Sequence, residues 1–261
     1  MATRATSIVT SRYDDGRVAL VQINRPEIKN ALNRAALVEL RSALDALEAT
    51  EDVHVVVLAG AGGSFTTGDD LSETARMDEA AFASMIGGFQ SITRALRALP
   101  QPVVAAVDGW AVGGGLEIAA NCDIRVVGDA TRFFCPEVGF GLLMSNASSL
   151  LLPRLIGDGN ARLLMLSGRR FDAAWAARVG FAQVVVPESR VLEASLELAS
   201  AIAAANPEAV HATKRLFNIA QDQEVEAALA AETEALVMAF QDSKVAAALR
   251  AELEKWLARS R

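Results

Sequence analysis

Two continuous β-branched runs, VHVVVLAG (residues 53–60) and PVVAAV (residues 102–107), limit the possible folds more than any other feature of the chain. Neither alternates polar with apolar residues, so both read as strands covered on both faces. Each leads into a glycine-rich loop, GAGGSFTTGDDL or DGWAVGGGLEIAANCD, and then into helical sequence. That repeated order of strand, loop and helix predicts an α/β core whose parallel strands are joined by right-handed crossovers.

Other segments fit around this core. SIVTSRY and RVALVQI flank Asp14, Asp15 and Gly16, a hairpin signal. Leu37, Leu40, Leu44 and Leu47 recur at helical spacing, and the stretch from Asp78 to Leu99 is also helical in character. DIRVV supplies a further strand after the second glycine loop. Beyond Pro187 the composition shifts to Ala, Leu and Glu, and several helices are expected from there to Trp256. A core over residues 1–190 and a helical C-terminal region over 191–261 follow from that shift.

The composition narrows the function. A net charge of −7 argues against a nucleic-acid-binding surface, while leaving room for a local basic cluster that meets an anionic small ligand. The start of the chain, MATRATSIVTSRYDDG, lacks the apolar core of a signal peptide, and no run reaches the roughly 18 apolar residues of a membrane span. A cytoplasmic protein with no membrane partner is the expectation. Cys122 and Cys135 lack paired spacing, so they read as buried thiols, and no metal site is expected. His54 and His211 stand near no nucleophile motif, which leaves carboxylates as the candidates for acid–base chemistry.

Three consecutive glycines, Gly113 to Gly115, precede Glu117. They give only a partial dinucleotide fingerprint, because Ile118 stands where its third glycine belongs. The upstream loop at Gly68 has the same setting. Two bare loops of this kind can each aim an N–H at one oxygen, forming an oxyanion hole.

The segments INRPEIKNALN, VVVLAGAGGSFTTGDDL, PVVAAVDGWAVGGGLEIAANCDIRVV, FFCPEVGFGL and LPRLIGDGNARLLMLSGRRFDAAWAARVGFAQVVVP together resemble the crotonase superfamily, the enoyl-CoA hydratase/isomerase family, in their order and spacing. The resemblance implies a crotonase-like spiral of repeated ββα units with a helical C-terminal trimerisation region. It also implies a homotrimer or dimer of trimers acting on acyl-CoA thioesters. No separate cofactor is implied, since coenzyme A is part of the substrate. By position, the backbone N–H groups of Asp69 and Gly114 fall in the oxyanion hole, and Glu117 and Glu137 match the carboxylates that hold a water in hydratases. The coenzyme A segments match Arg25, Glu27, Ile28 and Lys29, and Gly68, Asp70, Leu71, Ser72 and Gly113.

Each of these residues has a plainer reading. Glu117 also suits the first turn of any helix, Glu137 suits a turn, and Arg25 and Lys29 suit a solvated surface. The sequence also departs from the family pattern. Asp69 replaces a small or apolar residue, so its carboxylate must point away from a developing oxyanion. Ser145, Asn146, Ser148 and Ser149 stand where glycines are expected, as substrate contacts or as a helix cap. The last helix lacks the family's glycine turn and late phenylalanine. Both glutamates point to an enoyl-CoA hydratase, a lyase that adds water syn to trans-2-enoyl-CoA. A double-bond isomerase, C–C hydrolase, decarboxylase or weakly catalytic acyl-CoA binder is the alternative.

Overall fold

A computed structural model of the chain describes residues 6–219, 221–241 and 243–259. The first five residues of the segment read as lacking leader character lie outside this range, as does Asp242 in the C-terminal helical stretch.

The expected hairpin is present: β1 (Ile8–Tyr13) pairs antiparallel with β2 (Val18–Ile23) across a turn at Asp14–Gly16. The leucine stripe lies on α1 (Arg34–Glu48), whose N-cap Asn33 accepts from the amide of Ala36. Next come β3 (Val55–Gly60), the single-turn α2 (Leu71–Thr74) and α3 (Glu79–Ala98), capped by Asp78. They are followed by β4 (Val103–Val107), β5 (Trp110–Val112), α4 (Gly114–Asn121), β6 (Ile124–Gly128) and β7 (Arg132–Phe134). Then follow α5 (Ser148–Ile156), α6 (Asp158–Ser167), β8 (Phe171–Asp172), α7 (Ala173–Arg178) and β9 (Val184–Val186). The chain closes with α8 (Val191–Ala203), α9 (Pro207–Ile219), α10 (Asp222–Phe240) and α11 (Ser243–Arg259).

The strands form a six-stranded sheet, β1-β2-β3-β4-β6-β9, parallel from β2 onward, and a small sheet β5-β7-β8. From β3 to α5 each turn of the chain adds one strand to the large sheet and an extended segment to the small one, then a helix. β4, β5 and α4 make one such unit. β3, the single bridge from Thr66 to Ala111, and α2–α3 make the preceding one.

Both faces of the large sheet are covered, as its β-branched runs require. Val56, Leu58, Val103, Ala105 and Val107 face the core beneath α1 and α3. Val55, Val57, Val104 and Ala106 alternate with them and face Val191, Ala199 and Ala203 of α8. The change of composition near residue 190 is therefore not a boundary in packing. α8 completes the core, because a central parallel sheet cannot leave one apolar face in water. α9 is also tied in, through the buried Lys214, whose Nζ reaches Asp123 and the carbonyls of Leu96 and Gln101. His54 and His211 serve packing: His54 Nδ1 meets the carbonyl of Ala203, and His211 Nε2 meets that of His54. Both cysteines are free and buried. No described helix is long and apolar enough to cross a membrane.

Candidate active site

The loops after β3 and β4 lie against one another. Val112 N–H donates to the carbonyl of Thr66 at 3.1 Å, and Leu32 N–H donates to that of Gly68 at 2.6 Å. Gly68 has φ +75°, and a Cβ there would stand 2.7 Å from the Val112 oxygen and 2.9 Å from the Gly114 nitrogen. Only glycine allows both that conformation and that approach. Among the described residues, the N–H groups of Asp69 and Gly114 have no protein acceptor, and Gly114 opens α4 at the positive end of its dipole.

Gly113 shows why a glycine precedes that helix. It has φ +51°, and a Cβ there would overlap Glu137 Oε1. The missing side chain is thus the space that Glu137 occupies. Glu137 begins a 3-10 turn, Glu137–Phe140, just beyond β7, and its Oε2 is buried with no hydrogen-bond partner among the described residues.

Glu117 lies one turn into α4 and is almost fully buried. Three donors hold it: Ser145 N–H to Oε1 at 2.8 Å, Ser145 Oγ to Oε2 at 2.9 Å, and Asn146 Nδ2 to Oε2 at 3.0 Å. Burial pushes the titration of both glutamates upward, and their mutual repulsion adds to this for Glu117. Two carboxyls in such a site resist ionising together. The donors on Glu117 favour negative charge there, and the partnerless Oε2 of Glu137 suits the protonated member.

The polar stretch after Glu137 therefore has a different role from either one expected. Neither Ser145 nor Asn146 caps a helix: the N-cap of α5 is Ala147, with no side-chain cap of its own. Their polar groups grip Glu117, and sequence spacing does not reveal that contact. At the other end of α4, Arg125 is buried and, among the described residues, has no carboxylate partner. It donates to the carbonyls of Ala119, Cys122 and Phe181, fixing the C-terminal end of α4 where the dipole favours a cation.

Asp69 resolves one departure from the family pattern. Thr74 Oγ1 donates to its Oδ2 at 2.5 Å, while Oδ1 is buried and unpartnered. Burial pushes its titration up to about 7, with the Thr74 hydroxyl acting in the opposite direction. Burial thus favours the neutral carboxyl, which reduces its repulsion towards an oxyanion at its own N–H.

Three of the residues matched to coenzyme A, Arg25, Asp70 and Ser72, line a cleft of about 480 Å³ together with Arg34, Arg76 and others. Neither Glu117 nor Glu137 lines it. Arg25 is already engaged, with Asp70 Oδ2 at 3.3 Å and the Ala31 carbonyl at 2.5 Å. Glu27 and Ile28 lie on the adjacent 3-10 turn, and Leu71 packs against the core. Lys29 caps that turn and sits over the Trp110 ring at 5.3 Å, and Arg170, which the sequence reading missed, sits over the same ring at 5.4 Å. Among the described residues no cluster of His, Cys, Asp and Glu can hold a metal ion.

Two glycine loops with free amides beside a pair of carboxyls, on a ββα spiral, define a crotonase-type fold. The chain belongs to the enoyl-CoA hydratase/isomerase family, whose sequence profile matches residues 14–258. It is 38% identical over 229 residues to a short-chain-enoyl-CoA hydratase of Clostridium acetobutylicum, covering 87% of each chain. It is 34% identical to a 2,3-dehydroadipyl-CoA hydratase of Escherichia coli, over 89% of this chain and 90% of that one. The crystal structure of an enoyl-CoA hydratase/isomerase from Pseudoalteromonas atlantica superposes with a TM-score of 0.86 at 32% identity, covering 95% of this chain and 97% of that one.

Proposed function

We propose that the protein is an enoyl-CoA hydratase that adds water reversibly to a trans-2-enoyl-CoA. The observation that carries this reading is the unequal pair of carboxyls: Glu117 held by three donors, and Glu137 with Oε2 unpartnered beside the two free amides. A site that only shifted a double bond would have no use for a second carboxylate fixed so closely.

In this mechanism the thioester oxygen accepts from the N–H groups of Asp69 and Gly114, which lowers the barrier to an enolate. Such a donor contributes roughly 2.7–4 kcal/mol to the transition state. Glu117, ionised, takes a proton from the water as its oxygen bonds to C3. Glu137 gives its proton to C2 on the same face. Transfer of a proton from Glu117 back to Glu137 restores the starting state. Arg25, Lys29 and the cleft along Asp70 and Ser72 receive the coenzyme A body, with Arg34, Arg76 and Arg170 as additional cations.

Short and long trans-2-enoyl-CoA thioesters offered to the purified protein test the proposal: loss of the conjugated enoyl absorbance with formation of the 3-hydroxyacyl product is expected. Binding of the thioesters with no water addition would leave an isomerase or an acyl-CoA binder instead. A homotrimer or dimer of trimers is also proposed. Leu216, Phe217 and Ile219 on α9 are all well exposed in a single chain, and burial in an assembly would account for them.

A further inference from the structure

Glu232 lies on α10, among Glu224, Glu226 and Glu234, and nothing in the local sequence distinguishes it. Those three are exposed, while Glu232 is only 6% exposed. Among the described residues its carboxylate meets no cation. Instead Oε2 accepts from Ala147 N–H and Oε1 from Ser149 N–H, both at 2.8 Å. These are the amides at the start of α5, whose first turn has no cap of its own. Glu232 supplies that cap from a helix 83 residues further along the chain.

The segment it holds is the one that grips Glu117. Asn146 and Ala147 have φ +60° and +58°, a region that residues with a Cβ seldom adopt without external support. Asn146 is further tied by Thr93 Oγ1 to its Oδ1 at 3.2 Å and by Asn121 Nδ2 to its carbonyl at 3.1 Å. α10 is itself fastened to α3, since Gln90 Nε2 donates to the carbonyl of Leu229 and to Thr233 Oγ1. Val225 and Leu229 of α10 pack on Ala147.

We infer that Glu232 is a positioning residue for Glu117: from the C-terminal helix it holds residues 145–149 in the shape that keeps three donors on the carboxylate. The inference rests on the reading of Glu117 as the group that takes the water proton, and it makes α10 a working part of the site. The charged or titratable groups that act on Glu117 are Glu137 and Cys135 from beyond β7 and Glu232 from α10, while Thr93 of α3 and Ser148 of α5 on the neighbouring helices are buried and neutral.

Two variants of the full chain test this. Glu232→Asp keeps the charge but withdraws the carboxylate by one methylene, so it cannot reach both amides. Misplacement of about 1 Å can cost 10²-fold, so kcat is expected to fall about 10–100-fold. KM should change by less than about threefold, because the Glu232 carboxylate is taken up by the amides of Ala147 and Ser149. The Glu117 carboxyl, followed by ¹³C NMR in uniformly labelled protein, should titrate at higher pH as its donors leave. Glu232→Gln keeps the length and one acceptor but removes the charge that opposes ionisation of Glu117. Its Glu117 titration should lie below that of the Asp variant. A lower Tm in both variants, with kcat and the Glu117 titration as in the parent, would make Glu232 a helix cap only and overturn the inference. If the parent hydrates no enoyl-CoA, the proposed function fails, and the titration still decides the role of Glu232.

Discussion

Replacing Glu117 with Gln changes little in volume but much in hydrogen bonding. The carboxylate now accepts from three donors: Ser145 N–H, which cannot reverse, Ser145 Oγ, and Asn146 Nδ2, whose amide is held in this sense by the Thr93 hydroxyl on its Oδ1. A glutamine has one acceptor oxygen and one NH₂. If the oxygen faces Ser145, the NH₂ meets the Asn146 amide; if it faces Asn146, the NH₂ meets the Ser145 N–H. One buried donor is left unsatisfied in either pose, at a cost of about 1–3 kcal/mol. Relief of the buried charge beside Glu137 offsets part of that, so the net loss of stability should stay below about 2 kcal/mol. The kinetic effect is larger. General acid–base assistance of about 10²–10⁴ corresponds to roughly 2.7–5.4 kcal/mol of barrier, which should appear in kcat, with KM nearly constant. Glu137→Gln should lose a similar factor, and the double variant far less than the product of the two. Initial rates of enoyl-CoA hydration, with thermal melts run in parallel, measure both effects. Hydration at near the parent rate in Glu117→Gln would refute the paired mechanism.

Asp69→Asn keeps the amide that faces the thioester and the hydrogen bond from Thr74, so kcat should remain within about tenfold of the parent. Because burial raises the Asp69 titration to about 7, the folded state holds a proton that the unfolded chain releases above its ordinary value of 3.8. Stability from this group is therefore full below that value and lost as pH rises towards 7. The Asn variant should gain Tm relative to the parent at pH 8 and not at pH 4, and an equal change at both would refute the buried assignment. Gly113→Ala places a Cβ in the space of Glu137 Oε1 at a φ of +51°, so kcat should drop by about 10² or more. Unchanged kcat in that variant would show that Glu137 can move without consequence. Light scattering at micromolar concentration should give a trimer or hexamer, and a stable monomer would refute the assembly inferred from α9.

Much of this molecule is legible in one dimension, because some constraints are local. Continuous β-branched runs need cover on two faces wherever they are placed, and the leucine stripe of α1 follows from helical spacing alone. The two glycine loops announce close backbone approach, and the family resemblance draws Glu117 and Glu137 together although 20 positions of sequence separate them. What the linear text could not convey is which distant group completes each local need. The need of α5 for a cap is local, but Glu232, which meets it, arrives through the packing of α10 on α3. Ser145 and Asn146 look like ordinary capping residues, and only their approach to α4 turns them towards Glu117. Arg25 suits a solvated surface in the linear text, until Asp70 is brought beside it. The shift in composition near residue 190 reads as a boundary, yet α8 fills the second face of the sheet. Hydrophobic spacing and backbone conformation act between near neighbours along the chain. Hydrogen-bond partners and buried charges are chosen across space, and the folded structure alone selects them.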